Sequence, residues 1–168
     1  MKSLSSKINS LIQYVSEHNF ATRIAVLFDV SRSSHIKRLY VVDIHSREIL
    51  MSCLAASGRG RTLWTRLFPR TSDVPNSWLT PIGRCLIAER YEGEFGVAYR
   101  LDGLDATNAN ARRRAIVLHS SPSIPDANFS FAPLWCSRGC VVVAPSAFCK
   151  IDDILKATSE ALLWIYSD

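Results

Sequence analysis

The chain has 168 residues, of which 48% are hydrophobic and 21% are charged. This balance is typical of a soluble globular protein and excludes a disordered or collagen-like chain, and the length suits one core rather than two. A formal net charge of +5 and a pI of about 9.1 favour an anionic partner, such as a cell-wall polymer, a nucleic acid or a membrane surface, without choosing among them.

The N-terminal segment predicts neither a membrane span nor a signal peptide. No apolar run approaches the roughly 18 residues that a spanning helix needs, and the first residues lack an unbroken apolar stretch followed by a cleavage site. We therefore expect no stable membrane insertion. The chain would stay in the cytoplasm, leave by a route that needs no such signal, or have been trimmed.

The first elements change from helical to strand patterns. Apolar residues at helical spacing predict an amphipathic helix from about Lys2 to His18, and we assign residues 1–22 to the same domain as residues 23–168. Two β-rich stretches follow, RIAVLFDV and KRLYVVDIHSREILMSCLAAS, and the polar DIHSRE predicts a hairpin turn in the second. Residues 58–83 show no periodicity and predict a long loop that serves or covers a site.

The remaining segments are mostly short apolar strands. RCLIAERY, GVAYRLDGL and AIVLHSS predict strands, with DATNANARRR as a polar turn or short helix before the last of them. A proline-containing loop leads to another strand, CVVVAP; Ser146 is predicted to cap a helix from about Ala147 to Thr158, and EALLWIYSD closes the chain as a strand. The pattern predicts a mainly β (α+β) fold with one helix near each end.

His119 and Cys140 form a candidate catalytic pair, because one ends a predicted strand and the other enters the next apolar strand 21 residues later. A thiol needs a base or a positive neighbour to become a thiolate near neutral pH. Gly139 permits a sharp turn, which would let nearby amides face a developing oxyanion. The same pattern also fits a small core cysteine and a hydrogen-bonded structural histidine.

Two other uses of the cysteines are open. The five cysteines cannot all pair within one chain, so at least one thiol is free. Cys136, Cys140 and His119 supply at most three zinc ligands, whereas a structural site needs four, so we expect no metal. A Cys136–Cys140 disulfide would be strained and easily reduced. We therefore favour the interpretation that Cys136 takes no part in the chemistry.

Several motifs resemble, in order, those of the YkuD-like murein L,D-transpeptidase catalytic domains. AIVLHSS followed by SRGCVVVAP is similar to the family signature, in which a His precedes a loop and a Ser-x-Gly-Cys. RLYVVDIHSREIL resembles the first hairpin of the family, GRG its glycine loop, NSWLTPIG its Ser-rich loop, and YEGEFGVAYRLDGLD and NANARRRAIVLH its next two segments. The resemblance runs from about Arg23 to Tyr166 and implies a β-sandwich or barrel.

The resemblance also implies roles for individual residues. Cys140 would be the nucleophile that attacks an L,D-configured peptide bond in a peptidoglycan stem, between a diamino acid and the terminal D-alanine, and His119 would be the base. The amides of Gly139 and Cys140 would form the oxyanion hole. The acyl-enzyme would pass to an amine or to water, without a cofactor. The implied substrate-binding residues are Ser137, Arg138, Ser120, Gly58, Arg59 and Gly60.

The departures from the family lie in the substrate-facing loops. The family has His-Gly-x-Gly and a His-Gly pair, where this chain has Ser57-Gly58-Arg59-Gly60 and Phe95-Gly96. Pro-Ala after the nucleophile is replaced by Val141-Val142, and the Ser-rich loop ends in Thr80-Pro81-Ile82-Gly83. The resemblance therefore supports the reaction type better than the identity of the substrate.

The location that the resemblance implies conflicts with the N-terminal sequence. The family implies a periplasmic or secreted protein, yet no signal peptide is recognisable, which suggests an effector carried by a dedicated secretion machine. The alternative function is a non-catalytic module that binds an anionic glycan or peptide through a set of arginines. A nucleic acid is not expected, because the basic clusters carry no recognised motif. The arginines of the alternative binding module are Arg59, Arg61, Arg112, Arg113 and Arg114.

Overall fold

The computed structural model describes residues 4–62, 70–94, 96–127 and 134–167, without the side chains of Trp135 and Cys136. The helices of this part of the chain are α1 (Leu4–Glu17) and α2 (Pro145–Lys156), with a 3-10 turn at Ala106–Asn108. The strands are β1 (Ile24–Asp29), β2 (Leu39–Asp43), β3 (Glu48–Cys53), β4 (Ala55–Gly58), β5 (Gly83–Gly93), β6 (Gly96–Gly103), β7 (Val117–Ser120), β8 (Trp135–Ser137), β9 (Val141–Val143) and β10 (Ala161–Tyr166).

The strands of the described residues form one mixed sheet in the order β3-β2-β1-β10-β5-β6-β7-β9-β4-β8. Most neighbours are antiparallel, whereas β1 with β10, β7 with β9 and β4 with β8 run parallel. The prediction of a mainly β fold with a helix near each end is confirmed. No helix in the described ranges is long and apolar enough to cross a membrane.

The sheet curls so that its two ends approach each other. β3 is the first strand in the order and β4 the last but one, yet only Leu54 separates them in the chain. Arg38, which is buried, joins the strands at this point: its N–H donates to Cys53 O at 3.2 Å and its Nε to Ala55 O at 2.9 Å. The sequence had placed residues 49–57 in a single hairpin strand, and the division at Leu54 corrects that prediction.

Both faces of the central strands are buried, which explains their continuous apolar sequences. Val26 and Phe28 of β1 belong to one core cluster with residues of α2, whereas Ala25 and Leu27 belong to a second cluster with residues of α1. Alternate side chains of a strand point to opposite faces, so the five residues from Ile24 to Phe28 of β1 are all apolar. The predicted N-terminal helix is confirmed and covers one of these faces.

Helix α2 is anchored to the other face by Asp152. The Asp152 carboxylate accepts hydrogen bonds from Arg90 Nε at 2.8 Å and from Tyr99 Oη at 2.7 Å, and it pairs with Lys156 Nζ at 3.2 Å. The helix begins at Pro145 with Ala144 as the N-cap residue. Ser146 is therefore not the cap that the sequence predicted; its hydroxyl donates instead to Asp126.

Candidate active site

Ser137, Arg138, Gly139 and Cys140 form a tight turn between β8 and β9. The buried Ser137 hydroxyl donates to Cys140 O at 2.8 Å and accepts from the Gly139 N–H at 3.2 Å. Gly139 has φ +126°, a conformation that favours glycine. The turn therefore depends on the serine and the glycine that the signature motif contains, and it delivers Cys140 to the start of β9.

The glycine loop of β4 packs directly on this turn. Arg59 N–H donates to Ser137 O at 3.1 Å. A β-carbon added to Gly58 would lie 2.9 Å from both Cα and N of Gly139 and closer still to Trp78 O. The structure thus brings the predicted glycine-loop residues beside the predicted nucleophile turn, at a distance that only glycine allows.

The Cys140 thiol is half-buried and free. Its Sγ lies 3.6 Å from Ala115 O. Burial raises the pKa of Cys140, and the Val117 N–H and the positive charge of Arg114 partly oppose that increase. The thiol is therefore protonated at neutral pH in the resting protein.

His119 lies on the strand next to the one that Cys140 enters. It is buried in β7, where it pairs in register with Val142 of β9, two residues after Cys140. Residues paired in a parallel ladder share a face, as do residues two apart. The register therefore places the His119 and Cys140 positions on one side of the sheet, on neighbouring strands.

The tautomer of His119 follows from its hydrogen bond. Nδ1 lies 2.9 Å from Ser120 O, and a carbonyl oxygen can only accept, so Nδ1 carries the proton. In the neutral ring the lone pair then resides on Nε2. Burial lowers the pKa of His119, although the bond to Ser120 partly opposes this, and the imidazole is therefore a neutral base at pH 7. Ser120 contributes its carbonyl to this orientation.

The loop before β5 is held against the site by Arg114, whose side chain is 5% exposed. Arg114 Nη1 donates to Ser72 O at 2.7 Å, and Nη2 donates to Leu79 O at 2.7 Å. Asn110 donates through its N–H to Asp73 at 2.8 Å. The polar turn before β7 thus fixes the loop that carries Trp78. Sequence reasoning missed these positioning residues, because Arg114 is one of three consecutive arginines with no visible difference among them.

The arginines proposed for the alternative binding module separate into different roles. Arg112 pairs with Glu89 at 2.5 Å and Arg114 is committed to the loop. Arg59 and Arg61 instead place their guanidinium groups 5.2 and 5.5 Å from the centroid of the Trp78 ring. Arg138, the predicted substrate residue, joins them at 4.8 Å. One tryptophan beside the turn that carries Cys140 is thus surrounded by three cations.

A cavity of about 300 Å³ opens beside this cluster, lined by Pro75, Asn76, Trp78, Arg113, Arg114 and Arg138. Among the residues that the structure describes, no group of three or more His, Cys, Asp or Glu side chains is arranged to hold a metal ion. The side chain of Cys136 lies outside the described part of the chain.

Comparison with known proteins identifies the family. The family model YkuD_2, the L,D-transpeptidase catalytic domain, matches residues 1–166. Among curated proteins the comparison found no match.

Solved structures share the fold at low identity. The L,D-transpeptidase of Xylanimonas cellulosilytica (residues 123–326) has a TM-score of 0.54 at 15% identity, with 93% of this chain and 69% of that chain covered. An L,D-transpeptidase from Mycobacterium smegmatis has a TM-score of 0.52 at 13% identity, with 86% and 58% covered. An L,D-transpeptidase solved in complex with imipenem has a TM-score of 0.50 at 14% identity, with 86% and 59% covered. Because the family model matches residues 1–166, the chain belongs to the family of L,D-transpeptidase catalytic domains.

Proposed function

We propose that the protein is a cysteine-dependent acyl transferase that acts on peptidoglycan stem peptides, as an L,D-transpeptidase or an L,D-carboxypeptidase. The observation that supports this proposal is that Cys140, in a glycine turn at the start of β9, lies on the same side of the sheet as the buried His119, whose Nδ1–H donates to Ser120 O. A neutral thiol beside a neutral imidazole is activated by proton transfer when substrate arrives rather than by a standing ion pair.

The proposed reaction proceeds through an acyl-enzyme. His119 Nε2 accepts the thiol proton as Cys140 Sγ attacks the carbonyl carbon of the donor peptide. The tetrahedral intermediate collapses with cleavage of the C–N bond, and the imidazolium returns the proton to the departing amine. The thioester then reacts with an amine to give a new amide or with water to give a carboxylate, and His119 activates either acceptor.

The oxyanion would form at the nucleophile turn. The Gly139 N–H is engaged by Ser137 Oγ at 3.2 Å, which is long for a hydrogen bond to an oxygen. We propose that this N–H exchanges its serine partner for the oxyanion and acts with the amide of Cys140. Ser137 holds the turn through its bond to Cys140 O.

We propose that the protein acts where peptidoglycan stems are exposed, outside the cytoplasmic membrane, and that it reaches them as an effector of a secretion machine. Expression with and without an added export signal, followed by analysis of muropeptides, tests this location. Changes in muropeptides that need the export signal support it. Changes of equal size without the signal contradict it.

Mass spectrometry of the protein after incubation with a carbapenem tests the reaction type, since one fold relative was solved with imipenem. A covalent adduct is expected on the wild-type protein and on Cys149→Ala, whose cysteine is exposed on α2, but not on Cys140→Ala. Muropeptide digests run in parallel identify the acceptor. An adduct that persists in Cys140→Ala, or the absence of both an adduct and altered muropeptides, overturns the proposal.

A binding module on the same fold is the second candidate. The observation that favours it is the cluster of Arg59, Arg61 and Arg138 around Trp78, which requires no chemistry at Cys140. Sedimentation of the protein with insoluble peptidoglycan distinguishes the two. Retention that is equal in wild-type protein and Cys140→Ala, without muropeptide changes, supports the binding module.

A further inference from the structure

Three guanidinium groups converge on the ring of Trp78, and their positions bring like charges together. Arg59, Arg61 and Arg138 each lie within 5.5 Å of the ring centroid, so no two of them are more than about 11 Å apart. Their chain positions are far apart, in the glycine loop and in the nucleophile turn. The fold therefore assembles this cluster from separate segments, and we name it the Trp78 cradle.

None of the three has an acidic partner among the described residues. Arg84 and Arg112, in contrast, are paired: Arg84 with Asp105 at 2.6 Å and Arg112 with Glu89 at 2.5 Å. Arg61 and Arg138 are exposed, and Arg59 is half-buried. Stacking on an aromatic face holds a guanidinium in place while its N–H edge stays available for an oxyanion.

The backbone under the cradle is held in a conformation that is unusual for a large side chain. Trp78 has φ +60° and Asn76 has φ +61°. Trp78 O accepts from the Gly60 N–H at 2.9 Å, and Arg114 ties the next residue, Leu79, at 2.7 Å. Strained non-glycine residues persist only where surrounding bonds enforce them, and they concentrate at functional sites. These hydrogen bonds hold the backbone of Trp78 in place, so the tryptophan stays beside the three arginines.

The cradle lies beside the predicted nucleophile. Arg138 is two residues before Cys140 and lines the cavity of about 300 Å³ together with Trp78 and Arg113. Arg114, in the same cavity wall, places Nη2 3.3 Å from the position of a β-carbon on Gly139. When a substrate carbonyl is held at the thiol, a substrate group that is bound in the cavity would therefore lie one or two substrate residues away from that carbonyl.

We propose that the Trp78 cradle is an anion subsite, and that it binds a doubly charged oxyanion group carried by the acyl donor. Three cations around one ring, without an acidic partner in the described part of the chain, exceed the charge of a single carboxylate, whereas a diphosphate or two neighbouring carboxylates would balance most of it. The assignment to the acyl donor rests on the proposed function; the anion site itself does not.

Isothermal titration of Cys140→Ala protein with pyrophosphate and with acetate, at fixed ionic strength, tests the subsite. This variant cannot form an acyl-enzyme, so binding is measured alone. Pyrophosphate is expected to saturate one site, and acetate is expected to bind at least tenfold more weakly. Arg59→Gln with Arg138→Gln is expected to weaken pyrophosphate binding by tenfold or more, and Trp78→Leu is expected to weaken it as well.

A matched pair of substitutions controls for net charge. Arg47→Gln with Lys150→Gln also removes two charges, from an exposed hairpin turn and an exposed helix position, and is expected to leave the affinity within twofold. Titration without saturation, or an equal loss in this control pair, overturns the subsite.

Donor peptides separate the subsite from the reaction. With wild-type Cys140, Arg59→Gln/Arg138→Gln should raise KM for a donor with two carboxylates next to the scissile bond by about tenfold while KM for its diamide changes less than twofold. A donor that carries a diphosphate in place of those carboxylates tests whether the diphosphate is the source of the double negative charge. Equal KM changes for charged and neutral donors overturn the donor assignment. Saturable pyrophosphate binding by a protein that never acylates overturns the proposed function and leaves the anion site standing.

Discussion

Gly58 and Gly139 touch backbone to backbone, because a β-carbon on Gly58 would lie 2.9 Å from both N and Cα of Gly139. The end of β4 and the turn that carries Cys140 are therefore closer than any side chain would permit. This contact joins the glycine loop, the turn that carries Cys140 and the loop that carries Trp78 into one unit. The position of Cys140 depends on this contact.

Gly58→Ala is expected to disturb this unit. The new methyl group would press on Trp78 O and on the Gly139 backbone, and backbone atoms cannot rotate out of its way. Overpacking of this kind costs about 1–3 kcal/mol. We expect urea denaturation to show a loss of this size and carbapenem acylation of the folded variant to slow by at least tenfold. Gly96→Ala is the control, since no atom lies within 4 Å of its added β-carbon, and its cost should be confined to the strain of φ +77°. Equal acylation rates in the two variants would contradict the role of the contact.

The acylation rate should reveal the lowered pKa of His119. Burial disfavours the charged imidazolium, so the pKa lies below the ordinary value of 6.5 and the ring stays neutral to more acidic pH. The rate of carbapenem acylation should therefore be sustained at pH 6.5 and fall only at more acidic pH, as His119 becomes protonated. Stopped-flow or quenched mass spectrometry from pH 4 to 8 measures this profile.

His119→Gln should reduce the acylation rate by roughly 100-fold or more, since a positioned general base contributes about that much. His45→Gln removes an exposed histidine from the hairpin turn and should leave both the rate and the profile unchanged. A rate that is already half lost at pH 6.5 in the wild-type protein would mean that His119 is not the buried neutral base.

Alkylation of the thiols should follow their burial and pKa values. Burial raises the pKa of Cys140, and it raises the pKa values of Cys53 and Cys85 to about 12. Only the thiolate reacts with iodoacetamide. In the native protein we expect exposed Cys149 to react first, Cys140 later and with increasing rate at alkaline pH, and the two buried thiols only on unfolding. Peptide mapping by mass spectrometry at pH 7 to 10 gives the order. Faster labelling of Cys140 than of Cys149 at pH 7 would indicate a preformed thiolate.

Much of the fold could be predicted because the decisive signals are local. Residues Ile24 to Phe28 of β1 and all of β10 are apolar since both faces of these strands are buried, and His119 and Cys140 mark strand ends that the pattern reveals. The division at Leu54 could not be predicted, because no glycine or proline interrupts the chain there. The sheet closes at this point through Arg38, whose bonds depend on strands that meet only in the folded protein.

The Trp78 cradle could not be predicted for a similar reason. Arg59 and Arg138 lie 79 positions apart in the sequence, and no short motif connects either of them to Trp78. Within the run Arg112-Arg113-Arg114, the first pairs with Glu89 and the last with the loop before β5, although the sequence presents three equal residues. Long-range contacts, rather than residue type, decide which of these cations remains available.

Asp152→Asn should destabilise the protein more than any other single acid-to-amide change on α2. The Asp152 carboxylate joins α2 to Arg90 of β5 and Tyr99 of β6, and the hydrogen bonds from Arg90 and Tyr99 hold its pKa well below the usual range. Hydrogen bonds to charged groups contribute about 1.5–3 kcal/mol, so the amide should lower the free energy of unfolding by about that amount at pH 7. Asp153→Asn is the matched control, because Asp153 is exposed and pairs only on the surface with Lys156 at 3.0 Å; its change should stay below about 0.5 kcal/mol.

The same substitution should change how stability depends on pH. A carboxyl with a lowered pKa in the folded state stabilises the fold above its unfolded pKa, near 3.8, and this contribution is lost as the pH falls toward the folded value. The free energy of unfolding of the wild-type protein and of Asp153→Asn should therefore fall more steeply below pH 4 than that of Asp152→Asn. Urea denaturation at pH 7, 5, 4 and 3 measures the three slopes. Parallel acid slopes for Asp152→Asn and the wild-type protein would show that the Asp152 carboxylate does not supply this stability, and that α2 is held on the sheet by its apolar face alone.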